Sequence, residues 1–149
     1  MTPAEREDCI RRYAEGPELL AKALASVPGE ALQWRPAPGK WSAHEVIIHC
    51  ADSETNSHMR IRYLVGETDP TIVGYDQDAW VAAQAWSSAS WRDLVRLWRL
   101  LNLQVARAID ETPEPALARA HTRHSLDRIA FRAVRAEDPV TLAFLVDDY

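Results

Sequence analysis

The sequence has few cysteines, few lysines and no long apolar run. Cys9 and Cys50 share no CxxC spacing, and the basic side chains other than Lys22 and Lys40 are arginines. No apolar stretch approaches the ~18 residues of a membrane-spanning helix, and residues 1–8 are charged where a signal peptide is apolar. We therefore expect a cytoplasmic protein without a membrane segment. Its cysteines are predicted to be reduced thiols, a disulfide between them being the lesser alternative.

The chain also lacks a surplus of positive charge. Its 17 lysines and arginines stand against 22 aspartates and glutamates, which gives a formal net charge of −5 at pH 7. Because proteins that bind DNA or RNA generally carry a basic surplus, we expect no nucleic-acid partner. The hydrophobic share of 47% excludes intrinsic disorder, and 149 residues are the usual length of one domain, predicted to span residues 1–149.

Two capping boxes, in which a hydroxyl residue precedes a glutamate by three positions, predict where the first two helices begin. Thr2 and Glu5 form one, and Ser42 and Glu45 form the other. Pro17, after Gly16, predicts a kink or a restart in the first helix because proline lacks the backbone donor. The second helix is predicted from about Ser42 to Val65, with Gly66 as its C-terminal stop.

Further helix signals predict an all-α, up-down four-helix bundle. A short helical patch at 78–85 precedes a third helix that opens at Ser90 and carries an apolar stripe at spacings of three and four. Residues 116–137 have no clean period and predict a partly extended connection. Asp138-Pro139 then predicts the start of a fourth helix, which is short or truncated at the C-terminus because the chain ends at Tyr149.

A polar stripe on the second helix is the candidate site, since nucleotide-binding and nucleophile motifs (GxxxxGKS/T, GxGxxG, GxSxG, HExxH) are absent. Glu45, His49, Asp52 and Asn56 follow spacings of four, three and four residues and therefore share one helix face. Two interpretations stay open. Either the stripe faces water, or His49 points into the bundle as a metal ligand or general base, with Asp52 orienting its imidazole.

The other histidines offer weaker candidates. His44, in the first turn of the second helix, is predicted to be solvated. His58 is nine residues from His49 and therefore lies on the opposite side of that helix. His121 and His124 can chelate a metal together only if their segment is helical, and its helical character is weak.

Several segments share a pattern beyond the polar stripe. They are Pro38-Gly39-Lys40-Trp41-Ser42, the run from Glu45 to Glu54, Asn56-Ser57, Arg60-Ile61-Arg62 and the segment from Tyr75 to Trp80, with Ser90, Leu94 and Leu101 on the third helix. Together these segments resemble the DinB/YfiT-like superfamily of candidate metal-dependent enzymes, and the resemblance covers nearly the whole chain.

The resemblance implies a four-helix bundle, usually a homodimer, whose metal is held by three histidines. One histidine comes from the second helix and two from an HxxxH pair on the fourth. Zinc or nickel is typical, and the implied activity is that of a hydrolase or a transferase of low-molecular-weight thiols acting on a small-molecule substrate. His49 matches the second-helix ligand. His49 and Asp52 are accordingly the predicted catalytic residues, and His49 is the predicted metal ligand.

The ligand set is incomplete in this sequence. Thr141 to Tyr149 resembles the opening of the family's fourth helix, but the two remaining histidines of relatives lie a few residues further on. Either the sequence is shortened at its C-terminus or the protein has lost two ligands. The first alternative favours a metal-dependent enzyme. The second favours a metal-free bundle that binds a small ligand or acts through dimerisation.

Overall fold

The computed structural model describes residues 2–83, 88–126 and 138–142. Within these ranges three long helices and three shorter elements confirm the predicted all-α class. In chain order the elements are α1 (Pro3–Ala25), a 3-10 helix (Gly29–Gln33), α2 (Ala43–Gly66), α3 (Gln77–Ala83), α4 (Trp91–Glu111) and α5 (Glu114–Leu117).

Both predicted capping boxes are present. At the start of α1, the Thr2 hydroxyl accepts a hydrogen bond from the Glu5 backbone N–H at 3.3 Å. At the start of α2, the Ser42 hydroxyl accepts from the Glu45 N–H at 3.3 Å, and the Glu45 carboxylate accepts from the Ser42 N–H at 2.8 Å. Because a capping box satisfies donors within four consecutive residues, both helices begin where the sequence predicts.

Pro17 lies inside a single helix, so of the two predicted alternatives, a kink or a restart, the restart is wrong. Proline cannot donate to the carbonyl four residues earlier, which leaves the Tyr13 carbonyl without its helical partner. The side-chain amide of Asn102 on α4 donates to that carbonyl at 3.1 Å. Gly16 presents bare backbone to the Trp98 ring, at 3.6 Å from the position that a Cβ would occupy. A donor from α4 therefore replaces the backbone donor that Pro17 lacks, and α1 continues through Pro17.

The helix α4 packs against both α1 and α2. Near the start of α1, Arg6 donates to the Thr112 carbonyl, just beyond the end of α4, at 2.9 Å. Gly16, further along α1, contacts Trp98 in the first half of α4. The helices α1 and α4 are therefore antiparallel.

The helices α2 and α4 run in the same direction. Ile47, early in α2, shares a buried cluster with Leu94, and Ile61, late in α2, shares another with Val105. Strict up-down alternation would make them antiparallel. The start of α4 instead lies level with the start of α2, so α4 repeats the direction of α2.

Two buried apolar clusters form the core. One lies beside the second half of α2 and contains Ile61, Leu64, Ile72, Val105, Ile109, Leu117, Leu126, Val140 and Leu142. The other lies beside the first half of α2 and contains Leu24, Leu32, Ile47, Ile48, Ala51, Val81, Leu94 and Val95.

The predicted start of the fourth helix at Asp138-Pro139 is wrong. Val140 is extended, and it exchanges backbone hydrogen bonds of 2.8 and 2.9 Å with His121. Its buried side chain belongs to the core, which favours this pairing over a first helical turn. Phe144 and Leu145, through which that helix was predicted to run, lie outside the described residues. The predicted partly extended connection is confirmed for residues 120–126, where His124 bridges to Ile72.

Cys9 and Cys50 are free, as predicted. Among the described helices, none has the length and apolar character needed to span a bilayer.

Candidate functional site

The capping box at Ser42 fixes where α2 begins, and the polar stripe starts in the first turn of that helix. The carboxylate of Glu45 is occupied by this cap and by an ion pair with Arg35. Glu45 is therefore a structural member of the stripe. His49 and Asp52 follow one and two turns further along the same face.

His49 is half-buried, and its ring lies beside the indole of Trp41 with centroids 4.9 Å apart and an interplanar angle of 47°. Its Nδ1 atom is buried and has no hydrogen-bond partner among the described residues. Burial lowers the pKa of His49, and the nearby carboxylate of Asp78 on α3 opposes part of that lowering. The imidazole is therefore neutral at pH 7 and keeps a lone pair for a ligand.

Asp52 is a buried carboxyl group, with 7% of its surface exposed. Its Oδ2 atom has no hydrogen-bond partner in the described ranges. Burial raises the pKa of Asp52 to about 6. The next stripe residue, Asn56, donates its side-chain amide to the Asp52 backbone carbonyl at 2.9 Å. Asn56 thus braces the helix and leaves the carboxyl group available.

The interpretation in which the stripe faces water does not describe this structure. Asp52 is buried, and Glu45, His49 and Asn56 are half-buried. The spacing predicted that these residues share a face, and it could not show whether neighbouring elements cover it. Asp78, which α3 brings close to His49, was missed because it lies on another element with no spacing relation to the stripe.

His44 is 6% exposed, so its predicted solvation is wrong. The available signal was its position three and four residues before Ile47 and Ile48, which places it on the buried face of α2. His58 is half-buried, and its spacing from His49 puts it on the other side of α2.

His121 and His124 form no chelating pair. Both lie in extended backbone, bridged to different segments, and residues three apart in a strand point to opposite sides. The His124 ring contacts the Asp138 carbonyl. Within the ranges that the structure covers, no group of three His, Cys, Asp or Glu side chains is arranged to hold a metal ion.

The comparison with protein families matches residues 12–142 to the DinB superfamily. The chain belongs to the DinB superfamily. This assignment confirms the family indicated by the sequence resemblance, which covers nearly the whole chain.

Two relatives of this DinB superfamily chain are named as candidate metal-dependent hydrolases. A protein of Oceanobacillus iheyensis is 33% identical over 71 residues, which are 48% of this chain and 41% of the relative. YfiT of Bacillus subtilis is 30% identical over 76 residues, which are 51% of this chain and 43% of YfiT. The matched segment thus spans about two-fifths of each relative's length.

The solved structure of Bacillus subtilis YfiT has the same fold. It matches with a TM-score of 0.83 at 20% sequence identity, over 98% of this chain and 78% of YfiT, and it is described as a four-helix bundle of unusual topology. The predicted four-helix bundle is therefore confirmed.

The donors on α2 fit part of a metal site. A neutral imidazole is a ligand that zinc and nickel accept, and His49 Nδ1 and Asp52 Oδ2 are both buried without a hydrogen-bond partner among the described residues. Catalytic zinc ordinarily has three protein ligands. The described residues of α2 therefore supply fewer ligands than such a site requires.

Proposed function

We propose that this chain belongs to a metal-dependent hydrolase in which His49 is a metal ligand and Asp52 is an adjacent catalytic carboxyl group. The observation that carries the proposal is a pair of buried atoms, His49 Nδ1 and Asp52 Oδ2, which lie one turn apart on α2 and have no hydrogen-bond partner among the described residues. The names of the two relatives support a metal. We propose zinc or nickel, because both bind neutral imidazole.

Each residue has a distinct task in this proposal. His49 is kept neutral by burial, and the Trp41 ring limits the rotation of its imidazole. Asp52, with its pKa raised to about 6, exchanges a proton near neutral pH and can accept one from an attacking water. When bound, the metal would polarise the scissile carbonyl and lower the pKa of the nucleophile.

The metal content of purified variants tests whether His49 is a metal ligand. Wild-type protein, His49→Ala and His58→Ala are loaded with zinc or nickel, desalted and measured by mass spectrometry of the elements. We expect bound metal to fall at least about tenfold in His49→Ala, as for removal of a ligand, and to stay unchanged in His58→Ala. His58 is the matched control because it lies on α2 away from the stripe. Equal metal in the wild type and His49→Ala would overturn the assignment.

Reaction class is tested on the loaded protein with a chromogenic acetate ester. Asp52→Asn should keep its metal and hydrolyse the ester at least about a hundredfold more slowly, the usual contribution of a general base. If the loaded protein transfers a low-molecular-weight thiol to an electrophile and does not hydrolyse the ester, the proposed activity is wrong and the protein is a thiol transferase. A wild-type protein that binds no metal would point to a metal-free binding module.

We further propose that the outer face of α4 mediates self-association into a homodimer. Leu97, Leu100 and Leu103 are exposed there by 36%, 65% and 46%. Asp93 and Arg107 lie equally far to either side of Leu100. Two antiparallel copies of α4 centred on Leu100 would therefore place Asp93 level with the partner's Arg107, which makes the face self-complementary.

A further inference from the structure

The polar stripe of α2 continues beyond Asn56 with two large apolar side chains. Met59 and Tyr63 follow Asn56 at three and seven residues, which prolongs the alternating spacing of four and three. At about 100° per residue, all members of the stripe from Glu45 to Tyr63 lie within an arc of about 80°. Met59 is 45% exposed and Tyr63 is 38% exposed. The face that carries the candidate site therefore ends in an open apolar patch.

The buried side of α2 changes halfway along the helix. Ile48 packs in the cluster beside the first half of α2, and Ile61 packs in the cluster beside the second half. At about 100° per residue, these two side chains leave the helix about 140° apart. Asp52, one turn after Ile48, is buried, whereas Met59, two residues before Ile61, points away from the second cluster. The stripe therefore passes from a covered position at Asp52 to the open surface at Met59.

The N-terminal end of the stripe is already occupied. The Glu45 carboxylate is held by the helix cap and by an ion pair with Arg35. The Trp41 ring lies against the His49 ring, with centroids 4.9 Å apart. A substrate whose reacting bond lies at His49 and Asp52 therefore extends along the face in the other direction, towards the C-terminal end of α2.

The length of that path sets the size of the substrate. At a rise of 1.5 Å per residue, Met59 lies about 10 Å from Asp52 along the helix axis, and Tyr63 lies about 16 Å from it. A medium-length apolar chain spans the first distance and a longer one reaches the second. Methionine is flexible and adapts to an apolar surface, and tyrosine offers an apolar ring while its hydroxyl stays in water. Both side chains suit a hydrocarbon chain at the protein surface.

We propose that Met59 and Tyr63 bind an apolar chain of the substrate while the ester bond lies at Asp52. This inference rests on the proposed hydrolase function, and it names the substrate class as esters that carry a medium-length apolar chain. Met59 and Tyr63 determine specificity and take no part in proton transfer. Each methylene group that leaves water on this patch strengthens binding by up to about fourfold.

Carbon-13 NMR of the methionine methyl groups tests binding without any reaction. The chain has two methionines, Met1 and Met59, so labelled wild-type protein gives two signals, and Met59→Leu identifies the one from Met59. The probe is decan-2-one, which has a carbonyl group and an apolar chain but no ester bond. We expect it to shift the Met59 signal saturably. Butan-2-one, with a shorter chain, should bind at least about tenfold more weakly.

Two variants of similarly exposed residues locate the bound chain. Tyr63→Ser should weaken the binding of decan-2-one at least about fivefold, because the ring no longer covers the chain. Val65→Ser is the matched control and should bind like the wild type. Val65 is 40% exposed on the same helix, and its side chain leaves α2 about 160° from that of Tyr63. A Met59 signal that does not move, or equal losses in the two variants, would overturn the proposal.

Ester selectivity tests the consequence on the metal-loaded protein. We expect kcat/KM for the octanoate ester of p-nitrophenol to exceed that for the acetate ester at least about tenfold. Met59→Ser and Tyr63→Ser should each lower this ratio at least about fivefold, and Val65→Ser should leave it unchanged. Ethyl octanoate and octyl acetate are then compared with ethyl acetate. A gain for either supports the proposal and gives the side of the ester that carries the chain, and a gain for neither overturns it.

The two experiments separate this inference from the proposed function. A Met59 signal that decan-2-one shifts, in a protein that hydrolyses no ester, would contradict the hydrolase and leave Met59 and Tyr63 as an apolar binding site. Hydrolysis of the acetate ester, with an unmoved Met59 signal and a selectivity ratio near one, would support the hydrolase and overturn this inference.

Discussion

Asp52 illustrates how a single residue can couple stability to pH. Burial raises the pKa of its carboxyl group to about 6, so the folded protein holds this proton more tightly than the unfolded chain. The stability that the neutral carboxyl group permits is present in acid and is lost as pH rises through about 6. Asp52→Asn carries no charge at any pH. It should therefore become more stable than the wild type at pH 8, by on the order of 1–3 kcal/mol, and gain little at pH 4.

Urea denaturation of both proteins across this pH range measures the effect. Asp110→Asn serves as the control, because Asp110 is exposed near the end of α4 and should show no such trend. A stability difference between Asp52→Asn and the wild type that is the same at pH 4 and pH 8 would contradict the buried, proton-linked state of Asp52.

Spacing along the sequence placed His49 and Asp52 on one helix face but did not show their surroundings. Residues three and four apart share a helix face whatever the rest of the molecule does, so the stripe was predictable. Which face is covered depends on how other helices pack. That is why His44 was misplaced.

At the scale of the element, the capping boxes predicted helix starts well, whereas Pro17 did not produce the restart and Pro139 did not produce the helix start that their local signals predicted. The capping boxes at Thr2 and Ser42 act within four residues, and both are present. The effect of Pro17 depends on Asn102, 85 positions later in the chain, whose amide takes the place of the missing donor. Val140 likewise follows a proline but pairs with His121 as extended backbone. Long-range partners decided both cases.

The paired extended segments around Gly74 provide a test at the same scale. The Ile72 N–H donates to the Arg123 carbonyl and the Ser125 N–H donates to the Ile72 carbonyl, each at 2.9 Å. A Cβ on Gly74 would lie 2.1 Å from the Ser125 carbonyl oxygen. Because backbone must move to relieve this overlap, Gly74→Ala should lower the free energy of unfolding by about 1–3 kcal/mol in urea denaturation.

Gly66→Ala is the matched control for that substitution. A Cβ on Gly66 meets no atom within 4 Å, so this variant should stay within about 1 kcal/mol of the wild type. Equal stabilities of Gly74→Ala and Gly66→Ala would show that the segments around Ile72 and Ser125 are not packed this closely.

At the scale of the whole molecule, the bundle class was predictable and the helix directions were not. Amphipathic stripes on three long segments indicate that helices pack together. The direction of α4 depends on the connection that follows α2, whose described part includes the short helix α3. Because α3 brings Asp78 close to His49, the same connection that sets the topology also completes the surroundings of the candidate site.

The proposed homodimer depends on the exposed leucines of α4. Leu100 is 65% exposed at the centre of the α4 face. A charge there would be buried against its own copy, so Leu100→Asp should weaken dimerisation by at least about thirtyfold, as for a central interface residue. Sedimentation equilibrium measures the dissociation constant, and circular dichroism should show unchanged helix content. Leu19→Asp, 62% exposed on α1, should leave the dimer intact.

Because Asp93 would lie level with the partner's Arg107, reversing either charge alone should weaken the dimer and reversing both should restore it. A monomeric wild type, or equal dissociation constants for the two leucine variants, would overturn the proposed α4 interface.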